Sequence, residues 1–363
     1  TVEASPNPNC RFTDWTENGE VVSTDNPYTF TQEGNCHLVA NFFRNYDFAV
    51  TYGTSQTLYY RIIDTDQRWV SIVAPLSDDA NGWDGITKPE GDIALSGTVE
   101  HNGTTYTVIS IEDYAFYGCS GLTGSLTIGD AVTSIGQYAF YGCSGLTGSL
   151  NIPNSVTSIG KYAFYNCSYL TGSLTIPNSV ESIGNYAFNG CSGFNGSLTI
   201  GSSVTSIGYY AFSGCLGFNG SLIIPNSVES IGDHAFYNCS GFTGSLNIPN
   251  SVRNIESYAF SGCSGFTETL TIGASVWGIG ERAFENTQFT QIIAKPATPP
   301  TMGNGVFYES SGLQSILVPC GSGDDYKIKN GWYDFKDLIE EKRHTHSVEV
   351  YIQIYYLSWH IVS

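Results

Sequence analysis

Residues 156–176 read V-T-S-I-G-K-Y-A-F-Y-N-C-S-Y-L-T-G-S-L-T-I, and the chain repeats this stretch on both sides. The Phe of the Ala-Phe pair recurs at Phe116, Phe140, Phe164, Phe188, Phe212, Phe236, Phe260 and Phe284, eight copies at a constant spacing of 24. A fixed period in the range of about 20–50 residues is the signature of stacked repeats, and it outranks any local reading. One such unit cannot bury its own apolar face; stacked units can, each laying its Phe, Ile, Leu and Cys on those of its neighbours. With strands stacking at about 4.8 Å, eight units make a rod of about 40 Å before its caps.

Spacing within the unit assigns each position. Leu174-Thr175-Ile176 alternates apolar and polar, as a half-buried strand does. Tyr-Ala-Phe-x-x-Cys is too short for a free-standing helix and suits a single helical or 3₁₀ turn. Gly160 and Asn166 mark bends, because both residue types tolerate left-handed backbone. Pro153, Pro177, Pro225 and Pro249 follow the strand Ile and end the strand, since proline has no amide to donate.

The recurrent S-V-x-S-I-G-x-Y-A-F-x-x-C, followed by C-S-x-L/F and L-T-I-P-N, resembles the BspA-type leucine-rich-repeat family of bacterial surface proteins. The resemblance runs from about residue 100 to 335 and recurs in register. It implies a solenoid of short strands and single turns, an extracellular or surface-attached location, and adhesion to host matrix proteins or other cells. The strand segment L-T-G-S-L-T-I departs from that family's usual spacing by one residue.

The chain divides, on this reading, into a small β module at 1–45, a β-rich N-terminal cap at 46–105, the solenoid at 106–288, a degenerate repeat with C-terminal cap at 289–341, and a tail at 342–363. In the first module Asn18-Gly19 sits between Phe12–Glu17 and Glu20–Val22, a strong hairpin signal. Tyr28–Phe30 and Leu38–Phe42 read as further strands. This run resembles the C-terminal part of an internalin-type B repeat, which implies a protein that continues upstream. Cys10 and Cys36 flank these strands, and either a disulfide or two separate thiols fits an exported protein. In the cap, Leu58–Ile63, Trp69–Val73 and Tyr106–Ile111 read as strands that cover the open edge of the first coil. At the other end Tyr326–Asn330 and Trp332–Ile339 suggest short helical pieces that close the last coil.

Several features bound the function. Lys plus Arg number 14 against 33 Asp plus Glu, a net charge of −19, which argues against nucleic acid and anionic membrane surfaces. No run of about 18 apolar residues is present, so no spanning helix is expected, and any export signal lies outside this sequence. The acidic loop S-D-D-A-N-G-W-D-G, with Asp78, Asp79 and Asp84, is either solvated or a partial calcium loop lacking the closing Glu. His344-x-His346 is a weak two-ligand metal pattern. No nucleophile elbow, phosphate loop or dinucleotide fingerprint appears, so no enzyme and no cofactor is expected.

Cys119, Cys143, Cys167, Cys191, Cys215, Cys239 and Cys263 also repeat at 24. In a solenoid they form one column pointing one way, where free thiols pack as small buried hydrophobes and parallel Cβ vectors fit a disulfide poorly. The exposed columns include Tyr117, Tyr141, Tyr165 and Tyr237 after the Phe, and Tyr209 before the Tyr column. These five are the candidate binding residues, for an extracellular protein or polysaccharide ligand. A third alternative is a spacer that binds nothing.

Overall fold

The computed structural model describes residues 1–5, 11–31, 36–53 and 56–342. From residue 104 the chain winds into stacked coils in which each residue meets the one 24 positions on, as Ser134 meets Ser158, until the last coils shorten the step to 22 or 23, as between Leu270 and Ile292 or Gly278 and Thr301. Ser158–Ile159 pairs in parallel with Ser134–Ile135 on one side and Ser182–Ile183 on the other. This two-residue strand recurs in each coil and forms the continuous ladder of the molecule, a 13-stranded sheet that ends at Thr301–Met302.

The Leu-Thr-Ile segment forms a second parallel ladder, for example Leu174–Thr175 on Leu198–Thr199. That ladder is broken into separate sheets. Between the paired segments Thr147 and Gly148 both donate their amides to the Gly124 carbonyl, at 3.1 and 2.9 Å. The strand runs unbroken over Phe266–Ile272, where the segment reads T-E-T-L, and also over Leu122–Ile128, where it reads T-G-S-L beside the cap strand Gly91–Leu95.

The turn segment makes the third side. Tyr165 and Cys167 donate to the carbonyls three residues back, both at 3.2 Å, in the expected 3₁₀ manner. The turn is entered through left-handed backbone, with φ 57° at Tyr162 and 50–58° at the matching residues from Tyr114 to Arg282. Left-handed geometry is uncommon for such a residue. In it the Tyr162 amide leaves its own turn and bonds Asn185 O of the next coil at 2.9 Å, while Phe164 and Asn166 donate to Ala187 and Asn189 at 2.7 and 2.8 Å. Asn166 has φ 55°, as its position as a bend suggests. Gly160 corrects that expectation. It is not left-handed; it is glycine because a Cβ there would lie 2.6 Å from Gly136 C and Gln137 N of the preceding coil.

Inside, like residues stack on like. Phe116, Phe140, Phe164, Phe188 and their successors have ring centroids 5.1–5.5 Å apart as far as Phe284, and Phe307 follows at 5.6 Å. Phe194, Phe218, Phe242 and Phe266 form a second column where earlier coils carry Leu122, Leu146 and Leu170.

Both ends of this core are covered. Trp69–Val73 pairs in parallel with Thr104–Ile111, and Gln56–Asp64 and Phe48–Tyr52 continue the sheet antiparallel. Trp83 donates its indole N–H to Ala115 O of the first coil at 3.2 Å. At the far end come a helix at Gly323–Ile328 and a 3₁₀ helix at Tyr333–Leu338. They seat Tyr326 and Trp332, both fully buried, whose polar tips bond Pro296 O and Pro300 O at 2.8 and 2.9 Å. The N-terminal residues form a three-stranded antiparallel sheet with the hairpin turn at Asn18-Gly19, both left-handed. Tyr28–Phe30, read as a strand, contributes only a single bridge from Tyr28 to Val2.

Candidate functional site

The column that sequence reasoning placed in the apolar turn, Tyr-Ala-Phe, splits at its first residue. Ala163 and Phe164 are fully buried, but Tyr162 is half-exposed, because its left-handed backbone turns the ring outward. Its equivalents stack one on the next: Tyr114, Tyr138, Tyr162, Tyr186, Tyr210, His234 and Tyr258, with centroids 4.3–4.7 Å apart. A second ladder runs beside it. Tyr117, Tyr141 and Tyr165 stack at 4.9 and 4.8 Å, tilted by 18° and 5°. The two ladders touch, Tyr141 lying 5.7 Å from Tyr138 and Tyr162 5.4 Å from Tyr165. Together they make a continuous aromatic strip about 29 Å long, at about 4.8 Å per coil.

Three of the five candidate residues, Tyr117, Tyr141 and Tyr165, are therefore brought together. Tyr237 stands apart from them, since Asn189 and Ser213 occupy the intervening coils; it lies 5.1 Å from His234. Tyr209 is 54% exposed but joins neither ladder. The long ladder was missed from sequence, though a signal existed. Its column is filled by Tyr, His234 and Arg282, all with polar ends, and never by Phe or Leu.

Within the strip the ring faces lie against neighbouring rings, and edges and hydroxyls point out. Burial, reinforced by the adjacent Tyr117 and Tyr165 hydroxyls, pushes the Tyr141 phenol above its ordinary range. Lys161 sits over the Tyr162 ring at 5.2 Å from its centroid.

The seven repeat cysteines are fully buried and unpaired. From Cys143 on, each thiol reaches the Phe carbonyl of the preceding coil, Cys167 Sγ donating to Phe140 O at 3.1 Å. Burial disfavours the thiolate and pushes Cys263 up to about 12. The expected result of thiol titration with a disulfide reagent near pH 8 is that the exposed Cys36 and Cys320 react in the native protein. The seven ladder thiols should react only after unfolding in guanidinium. Modification of a ladder thiol at the native rate of Cys320 would contradict this packing.

The acidic loop is occupied by internal bonds. Asp78 pairs with Arg61 at 2.7 Å and accepts from Asn45 at 2.6 Å, and Asp79 accepts from the Ser77 hydroxyl and the Asn81 amide. No group of three metal-binding side chains occurs among the described residues. Cys10, His344 and His346 lie outside the described residues, and with them the Cys10–Cys36 pairing and the tail. No helix among the described residues is long and apolar enough to cross a membrane.

Comparison with known proteins bears on the whole arrangement. The model of the BspA type leucine rich repeat region matches in six copies, over residues 99–219, 171–244 and 219–325. No match was found among curated proteins. A leucine-rich repeat protein from Bacteroides ovatus has a similar solved structure, with TM-score 0.58 and 27% identity over 75% of this chain and 71% of that one. A leucine rich cell surface protein from Faecalibacterium prausnitzii is 23% identical over 83% of this chain and 96% of that one, at TM-score 0.42. The T. pallidum leucine rich repeat protein is 24% identical over 70% and 87%, at TM-score 0.38. With six matched copies spanning the coils described above, the chain belongs to the BspA-type leucine-rich-repeat family.

Proposed function

We propose that this chain is a non-enzymatic bacterial surface or secreted protein that binds other proteins through its tyrosine strip, in adhesion to host matrix or to other cells. The observation that carries the reading is the aromatic strip itself: a rigid, half-buried ladder over seven coils, doubled over three of them. Tyr is enriched at protein interfaces because it offers a large amphipathic contact at low entropy cost. Here that cost is lowered further, since each ring is already held by its neighbours.

The same geometry weighs against polysaccharide at this surface. Sugars stack on open aromatic faces, and these faces are taken up at 4.5–4.9 Å by the next ring. A spacer has no need of a half-exposed aromatic column where Thr or Ser would do.

The test is solid-phase binding to a panel of matrix proteins and polysaccharides. Saturable binding to a protein is expected, and Tyr141→Ala with Tyr165→Ala should weaken it by about 10- to 100-fold, the loss typical of two central aromatic contacts. Thermal unfolding monitored in parallel separates lost contact from lost fold. Binding to glycans alone, or protein binding untouched by the double substitution, would refute the reading.

A further inference from the structure

A second surface lies on the Ser-Ile ladder. The residue before each Ser forms a column there, and along its C-terminal half the column reads Glu181, Thr205, Glu229, Arg253, Trp277. Backbone bonds fix the succession, with Glu229 N on Thr205 O, Arg253 N on Glu229 O and Trp277 N on Arg253 O. Trp277 is 62% exposed, and no ring or cation stacks on it among the described residues. It is thus unlike the tyrosines of the strip, whose faces are occupied.

Beside Trp277 stands Gly278, where other coils carry Ser or Asn. A Cβ there would lie 2.5 Å from Asn254 Oδ1, so the Asn254 side chain fills that place beside the indole. Around Trp277 lies a shallow groove of about 440 Å³ lined by Glu229, Arg253, Asn254, Glu256 and Trp277 among others. Asn254 donates to Glu256 Oε1 at 2.7 Å and holds that carboxylate in place. Two carboxylates and one guanidinium line it, on a chain whose net charge is −19.

We infer that this groove docks an extended basic segment of a partner protein, with a Lys or Arg side chain over the Trp277 indole and its charge shared by Glu229 and Glu256. A cation over an open indole face is the strongest cation–π arrangement among the aromatic side chains. The negative balance of the groove selects a cationic partner and repels an acidic glycan. From Glu181 to Trp277 the column spans four coil steps, about 19 Å, which an extended segment of about six residues crosses. Arg253, between the two, meets main-chain carbonyls of such a segment.

This inference rests on the protein-binding reading but uses different residues, so the two fail separately. The probe is a fluorescent Lys-Gly repeat peptide of about ten residues, titrated by fluorescence polarisation with the whole chain at about 20 and about 300 mM NaCl. Trp277→Ala is expected to weaken binding about 10-fold, Trp277→Phe less, and Glu229→Gln about 3-fold at low salt only. Asp130→Asn, an exposed carboxylate outside the groove, should change it less than about 2-fold. Equal weakening by Asp130→Asn would reduce the effect to bulk charge and overturn the inference. So would binding indifferent to Trp277→Ala, or Trp277-dependent binding of a neutral glucan in place of the peptide. The tyrosine strip is intact in every variant, so none of these outcomes touches its own test.

Discussion

Phe164→Ala is expected to lower the unfolding free energy by about 3–5 kcal/mol, the range seen for fully buried Phe-to-Ala substitutions. The ring is fully buried, and the Phe140 and Phe188 rings lie 5.2 Å away on either side. In a globular core a neighbour can shift into such a cavity. Here each coil contacts only the next, and register is held by hydrogen bonds on three sides, so the gap stays open. The loss falls on two coil interfaces at once. Urea unfolding followed by circular dichroism should show a lower midpoint and a transition that broadens or splits near the middle of the rod. A change below about 1 kcal/mol, with one sharp transition, would mean that the phenylalanine column does not couple the coils.

Gly160→Ala should rival it, by the opposite mechanism. An added Cβ would sit 2.6 Å from Gly136 C and Gln137 N and 2.7 Å from Gly136 O, all backbone atoms that cannot rotate aside. The coil would have to lift, stretching the Gly160 amide from Ile135 O, now at 2.8 Å. A cost of about 3 kcal/mol is expected, at the top of the usual range for overpacking. Gly172→Ala is the control. Gly172 has φ +80° with open space around the Cβ position, so alanine there meets strain but no clash, costing about 1–2 kcal/mol. Should Gly172→Ala prove the more damaging in the same urea series, left-handed strain rather than close stacking would be the reason for these glycines.

The contrast between those glycines shows how far the sequence could be read. The period of 24 required stacking, and stacking required Phe, Leu and Ile to face inward; the columns at Phe164 and Leu174 do so. The Ser158–Ile159 strand was not legible, because two residues cannot display alternation, and its continuity exists only between coils. Gly160 could be marked as a bend, but its true reason, a backbone of another coil at 2.6 Å, is a tertiary distance. The tyrosine strip was half-legible. Tyr117, Tyr141 and Tyr165 followed from their place after the buried Phe, whereas Tyr138 and Tyr162 were hidden by a left-handed φ of 55° and 57° that turns an apparently apolar position to solvent. Trp277 went unremarked because a lone exposed aromatic carries no period.

The central claim is that the tyrosine strip, and not the Leu-Thr strand face, is the protein-binding surface. It is tested most directly by two matched double variants against whichever matrix protein the chain binds. One is Tyr141→Ala with Tyr165→Ala; the other is Thr127→Ala with Thr175→Ala, both exposed on the strand face. The account predicts that the tyrosine pair weakens binding by about 10-fold or more while the threonine pair stays within about 2-fold of the parent. Loss in the threonine pair with the tyrosine pair unaffected would place recognition on the strand face and contradict it.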